Sequence, residues 1–158
     1  MNPQIESAIN DLSNAKDLIV RALANTPDDR INWSPGGTAR TAIQIVAHSG
    51  FSLGFISTML KGTPYPTPTM AEADAEFLEM ERVFTTREQV LEHLEKNYQK
   101  YIGVLKGFDE SDFDTMIDLP FKLGSVPLGA ILSVGALHTR THTSQIEYLQ
   151  TIYGDRNW

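Results

Sequence analysis

The sequence predicts an all-α fold, a four-helix bundle in one domain spanning residues 1–158, and three observations carry that prediction. Apolar residues recur at helical spacing in four long segments. Two of those segments open on a Thr-x-x-Gln capping signature. The breaks between them are rich in Pro, Gly and Asp, and the 158 residues suffice to bury one hydrophobic core.

The first helix is predicted from about Pro3 to Leu23. Asn2 can serve as N-cap ahead of a proline at the first helical position, and Ile5, Ile9, Leu12, Ile19 and Leu23 form one apolar stripe. Thr26 to Gly37 then interrupts it. A second helix is predicted from near Thr41 to Leu60, with Thr41 and Gln44 as capping box and Gly62 as a left-handed stop. Pro64, Pro66 and Pro68 make an extended linker, and Met70 to Phe84 has room for a short helix. The third main helix restarts at Thr86, paired with Gln89, and places Val90, Leu94, Tyr98, Tyr101 and Leu105 on one face until Gly107. Phe108 to Val126 is less regular, with a small hairpin expected around Leu119 to Leu123. The last helix is predicted from Pro127 to Tyr153, closed by Gly154. Four amphipathic helices with such connections imply a bundle, and the longer connections leave the order of helices around it open.

Composition narrows the function classes. Lys and Arg number 13 against 20 acids, for a net charge of −7. The basic residues form no run, so neither nucleic acid nor an anionic membrane surface is an expected partner. The longest apolar stretch, Ala42 to Leu60, contains Gln44, His48 and four Ser or Thr residues and reads as a buried helix, not a membrane span. With no cysteine, disulfides, thiolate ligands and a cysteine nucleophile are all excluded. The N-terminal residues Met1 to Glu6 lack a signal-peptide pattern, so a cytoplasmic location is expected.

Three of the four histidines sit where they could share an ion. His138 and His142 are four apart, on one face of the last helix and one turn from each other. Ile131, Gln145 and Leu149 lie within roughly 45° of their direction at about 100° per residue, which makes that stripe inward-facing. His48 lies on an inward stripe of the second helix with Ile45, Ser52, Phe55 and Met59. Spacing alone leaves two readings: separate hydrogen-bonded core histidines, or one divalent ion shared by His48, His138 and His142. Such binding needs neutral imidazole, so affinity is expected to fall below about pH 6.5, the ordinary histidine pKa. His93, beside Glu92 and Glu95, is read as a solvated surface residue. The acids Glu88, Glu92 and Glu95 read as a solvated face, Tyr98 and Tyr101 as core, and Trp33 with Pro35 as a cap on the bundle. There is no Gly-rich phosphate loop of dinucleotide-binding or P-loop type.

The segment Asn32-Trp33-Ser34-Pro35, followed by Thr41 to His48, resembles the DinB/YfiT-like superfamily, whose Trp-x-Pro loop precedes a helix with the first ligand histidine. Val126-Pro127 followed by His138 to Ile146 resembles its last helix, with an H-x-x-x-H pair and a glutamine three residues on. Phe108 to Leu123 fits the connection before that helix, so the likeness runs through nearly the whole chain. It implies a four-helix bundle, a three-histidine site for nickel, zinc or a similar metal, and a homodimer. The chain departs from many relatives at Thr143-Ser144, where they carry Arg-Gly.

Three neutral ligands leave a divalent ion its full charge and open positions, as in catalytic zinc sites. From Thr38 to Leu60 there is no Asp or Glu, and the last helix has only Glu147, roughly 160° from the histidine direction. A hydrolase wants a base beside its water, whereas a coordinated thiol ionises without one. The expectation is therefore thiol-dependent transfer or isomerisation on a small molecule, as some relatives perform with low-molecular-weight thiols. The alternatives are a metal-dependent hydrolase and a non-enzymatic, stress-associated metal-binding protein.

Overall fold

The structure, a computed structural model, describes residues 1–63 and 65–155; Pro64 of the expected Pro-rich linker lies outside them. Five α-helices follow one another: α1 (Pro3–Ala24), α2 (Ala42–Leu60), α3 (Met70–Glu81), α4 (Arg87–Lys106) and α5 (Val134–Ile152). A two-stranded hairpin, β1 (Met116–Asp118) and β2 (Ser125–Pro127), stands between α4 and α5.

The helix starts are where the capping chemistry places them. Asn2 accepts a hydrogen bond from the Gln4 backbone N–H at 2.8 Å. Thr41 and Gln44 exchange both bonds of a capping box, at 2.9 and 3.2 Å, and Thr86 and Gln89 do so at the head of α4. Each reciprocal pair satisfies two backbone donors that a helix start otherwise leaves open.

α1, α2, α4 and α5 form the bundle. α2 packs chiefly on α4 and then α5, while α1 packs chiefly on α5 and then α4. Helices consecutive in sequence, α1 with α2 and α4 with α5, are thus not the principal partners, and the two long connections carry the chain across the bundle. Leu12, Ile19, Ile43, Leu53, Leu94, Tyr101, Leu105 and Ile146 are buried between the four, each apolar side chain contributing about 1.5–3 kcal/mol. α2 is the one helix among the described residues long and apolar enough to cross a membrane, and most of it is buried within the bundle.

Two boundaries differ from expectation. The last helix begins at Val134, not Pro127, because Pro127 ends β2, opposite Met116. The Leu128 and Gly129 N–H groups then donate to the Thr115 and Phe113 carbonyls, so cross-strand bonds take what a helix would use. The hairpin is real but wider than expected: Leu119 to Leu123 is its turn, and the strands lie outside it. Met70 to Phe84 does hold a helix, α3, which lies against α2 outside the four-helix core.

Candidate metal centre

The start of α5 is pinned from across the bundle. The buried Tyr101 hydroxyl donates to the Leu132 carbonyl and accepts from the Gly135 N–H, both at 3.2 Å. Gly135 leaves room for that ring, since a Cβ there would lie 2.8 Å from Tyr101 Cζ. His138 follows one turn on and His142 one turn after that. Directly after each of them, the buried Thr139 and Thr143 hydroxyls bond back to the carbonyls of Gly135 and Thr139, so their burial leaves no donor unpaired.

The fold brings His48, His138 and His142 together. Each offers one ring nitrogen to a common point, and those nitrogens lie within 4.8 Å of one another. Ring centroids are 4.4 Å apart for His138 and His142, 4.6 Å for His48 and His142, and 5.5 Å for His48 and His138. The Nε2 atoms of His138 and His142 stand 3.1 Å apart. Two nitrogens bound at about 2.0–2.1 Å to one tetrahedral ion are separated by roughly 3.3 Å, so this pair is spaced as two such ligands would be.

The outer nitrogens determine which atoms are free. His142 Nδ1–H donates to Gln145 Oε1 at 2.8 Å. His48 Nδ1–H donates to Glu81 Oε1, also at 2.8 Å. Each bond fixes the proton on Nδ1 and leaves the Nε2 lone pair for a cation, the usual arrangement behind metal-ligating histidines. Burial pushes the His138 pKa down to about 3, helped by the neighbouring His142 and His48. Burial likewise takes His142 down to about 4, opposed in part by its bond to Gln145. Both rings are therefore neutral throughout the physiological range, and proton competition at these two sets in well below the pH 6.5 expected for ordinary histidines. The donor set fits a divalent transition-metal ion, for which neutral imidazole is a suitable ligand.

Glu81 is the residue that sequence reasoning missed. It ends α3 fully buried, with Oε1 on His48 and Oε2 accepting from Arg40 Nε at 2.6 Å. Arg40 Nη2 donates in turn to Asp74 at 2.7 Å. A buried carboxylate is tolerable only when so engaged. A signal existed: Ala73, Phe77 and Glu81 recur every fourth residue, all buried, so an acid occupies the apolar row of a short helix. Asp17, on α1, is exposed.

His93 is not the solvated residue expected. Its ring packs on Phe51 and Phe84, with centroids at 4.2 and 4.8 Å, and burial lowers its pKa. It is not part of the histidine cluster. Trp33 packs edge-on against Tyr153 at 5.4 Å and closes one part of the core.

A cavity of about 470 Å³ opens onto the three histidines, walled by Phe55, Phe77 and Phe121 among others, with Arg40 and Asp74 also lining it.

Comparison with known proteins agrees with this architecture. A family profile described as the DinB superfamily matches residues 11–146. No curated protein matches significantly. Among solved structures, YfiT from Bacillus subtilis, described as a probable metal-dependent hydrolase with an unusual four-helix bundle topology, aligns with a TM-score of 0.76 at 18% identity, covering 98% of this chain and 90% of its own. YjoA, a DinB-like protein from Bacillus subtilis, aligns with a TM-score of 0.64 at 16% identity, covering 94% of this chain and 92% of its own. At these identities the likeness establishes a shared fold, and with the profile spanning most of the chain, this protein belongs to the DinB superfamily.

Proposed function

We propose that this protein is a metal-dependent enzyme in which a low-molecular-weight thiol attacks a small electrophilic molecule, in a transfer or isomerisation reaction. The observation that carries the reading is the state of Glu81: the one fully buried carboxylate beside the histidines has both oxygens engaged, by His48 and Arg40. It orients His48 and is not free to take a proton from water. A divalent ion held by His48, His138 and His142 would supply the positive charge that keeps a thiol ionised at neutral pH. Gln145 and Glu81 hold the two outer imidazole protons, so the inner nitrogens stay lone-pair donors. The cavity gives a small electrophile a route to the site, along a largely apolar wall. The S–H proton leaves to solvent, the sulfur forms its bond to carbon, and a displaced group departs with its electron pair. With no cysteine in the chain, the sulfur must come from a cosubstrate.

Cobalt-substituted protein tests this directly. Adding cysteine or glutathione should produce a sulfur-to-cobalt charge-transfer band that is lost in His142→Ala. An unchanged spectrum together with rapid ester or amide hydrolysis overturns the reading. Hydrolysis is the second reading, favoured by Asp74, a half-exposed carboxylate on the same cavity, and YfiT is described in those terms. The proposal includes a homodimer, which rests on the family resemblance, and a cytoplasmic location, in keeping with a chain that has no cysteine. It takes a small molecule and not nucleic acid as partner, in keeping with the charge of −7.

A further inference from the structure

The cavity wall says what kind of molecule fits it. Phe77 is central: its ring lies 4.6 Å from His48, meets Phe55 edge-on at 5.4 Å and stacks with Tyr65 at 5.9 Å and 14°. Tyr65 then meets Phe121 at 6.2 Å. A continuous run of ring contacts therefore leads from a candidate ligand to the hairpin turn. Tyr65 is held in place by its hydroxyl, which donates to Glu76 at 3.0 Å. Phe121 sits in the left-handed region at φ 59°, ψ 27°, as does its exposed neighbour Lys122 at φ 59°, the paired positive angles of a tight hairpin turn. The charges on the cavity are already committed. Arg40 gives Nε to Glu81 and Nη2 to Asp74, so two carboxylates already offset its charge.

We propose that this cavity binds the flat, uncharged body of an aromatic or conjugated substrate along the Phe55–Tyr65–Phe77 wall, with Phe121 setting where that body ends. The inference rests on the cavity being the substrate site of the function proposed above. Binding to it is measurable without turnover, so the two can fail separately. Calorimetric titration of the zinc-loaded full chain would compare 2-naphthalenemethanol with its fully saturated decalin counterpart. The flat alcohol should bind about fivefold tighter than the saturated one, from ring–ring contact. Tyr65→Leu and Phe55→Leu, each checked for folding by thermal melting and for zinc content, should erase the preference for the flat ligand while leaving the saturated one bound. Equal affinity for the flat and saturated alcohols overturns the proposal. So does a flat-ligand preference that survives in both variants. A loss of the cobalt–thiol band with ligand preferences intact would instead remove only the thiol reading.

Discussion

The two flanks of α2 both take an imidazole out of water, yet they put it to different use. On one flank His48 meets His138 and His142, each ring nitrogen of the cluster lying within 4.8 Å of the others. On the other flank His93 reaches in from α4 and packs against Phe51 and Phe84. Gly50 makes that approach possible, because a Cβ there would fall 2.5 Å from His93 Cδ2. Burial lowers the pKa of His93 as it does those of His138 and His142, so a depressed pKa does not by itself identify a ligand. What separates the flanks is convergence of lone pairs on one point, backed by Glu81 behind His48 and Gln145 behind His142; His93 bonds the Ala47 backbone but lies outside the cluster. His93 is a packing residue that happens to be titratable.

The sharpest way to break this comparison is to delete the rings one at a time. His48→Ala, His138→Ala and His142→Ala should each lower bound zinc or nickel more than tenfold, whereas His93→Ala should keep full stoichiometry and lose stability through the cavity it leaves. Mass-spectrometric metal analysis of untagged protein, with urea unfolding alongside, reads both. Retained metal in any of the first three, or lost metal in folded His93→Ala, would reverse the assignment of the flanks.

A smaller effect is expected behind the ligands. Glu81→Gln keeps the side chain's size but removes the charge that holds the His48 proton and pairs with Arg40. Metal affinity should fall about 10–100-fold, the usual consequence of losing a partner behind a ligand, as measured by competition with a chromophoric chelator. An unchanged affinity would show that Glu81 serves only Arg40.

The smallest effect is one of pH. In the folded, metal-free chain His138 and His142 titrate near 3 and 4, below the roughly 6.5 of an unfolded histidine. Between those values the unfolded chain binds more protons, so stability rises with pH across that window and levels off above about 6.5. Urea midpoints at pH 5 and 7 should therefore differ, and replacing both rings, His138→Phe with His142→Phe, should shrink the difference. An identical pH slope in that double variant would mean that the loss at low pH comes from elsewhere.

Much of this protein is local in origin and was legible as such. Asn2, Thr41 and Thr86 set helix starts through bonds to residues two or three positions away. His138 and His142 share a face because four residues make about one turn. The inward stripe of α2 carried His48 toward the same interior. Other features depended on partners remote in sequence. Pro127 looks like a helix start, and became a strand end because Met116 pairs with it. His93 sits among charged neighbours in the chain, and is packed inside because Gly50 leaves it a place. Glu81 acquires its role from His48, 33 residues away, and Arg40, 41 residues away. Hydrogen bonds within one turn depend on residues a few positions apart and so can be read from the chain. Burial of a charge or a ring depends on what the fold brings alongside it, and that only the tertiary structure decided.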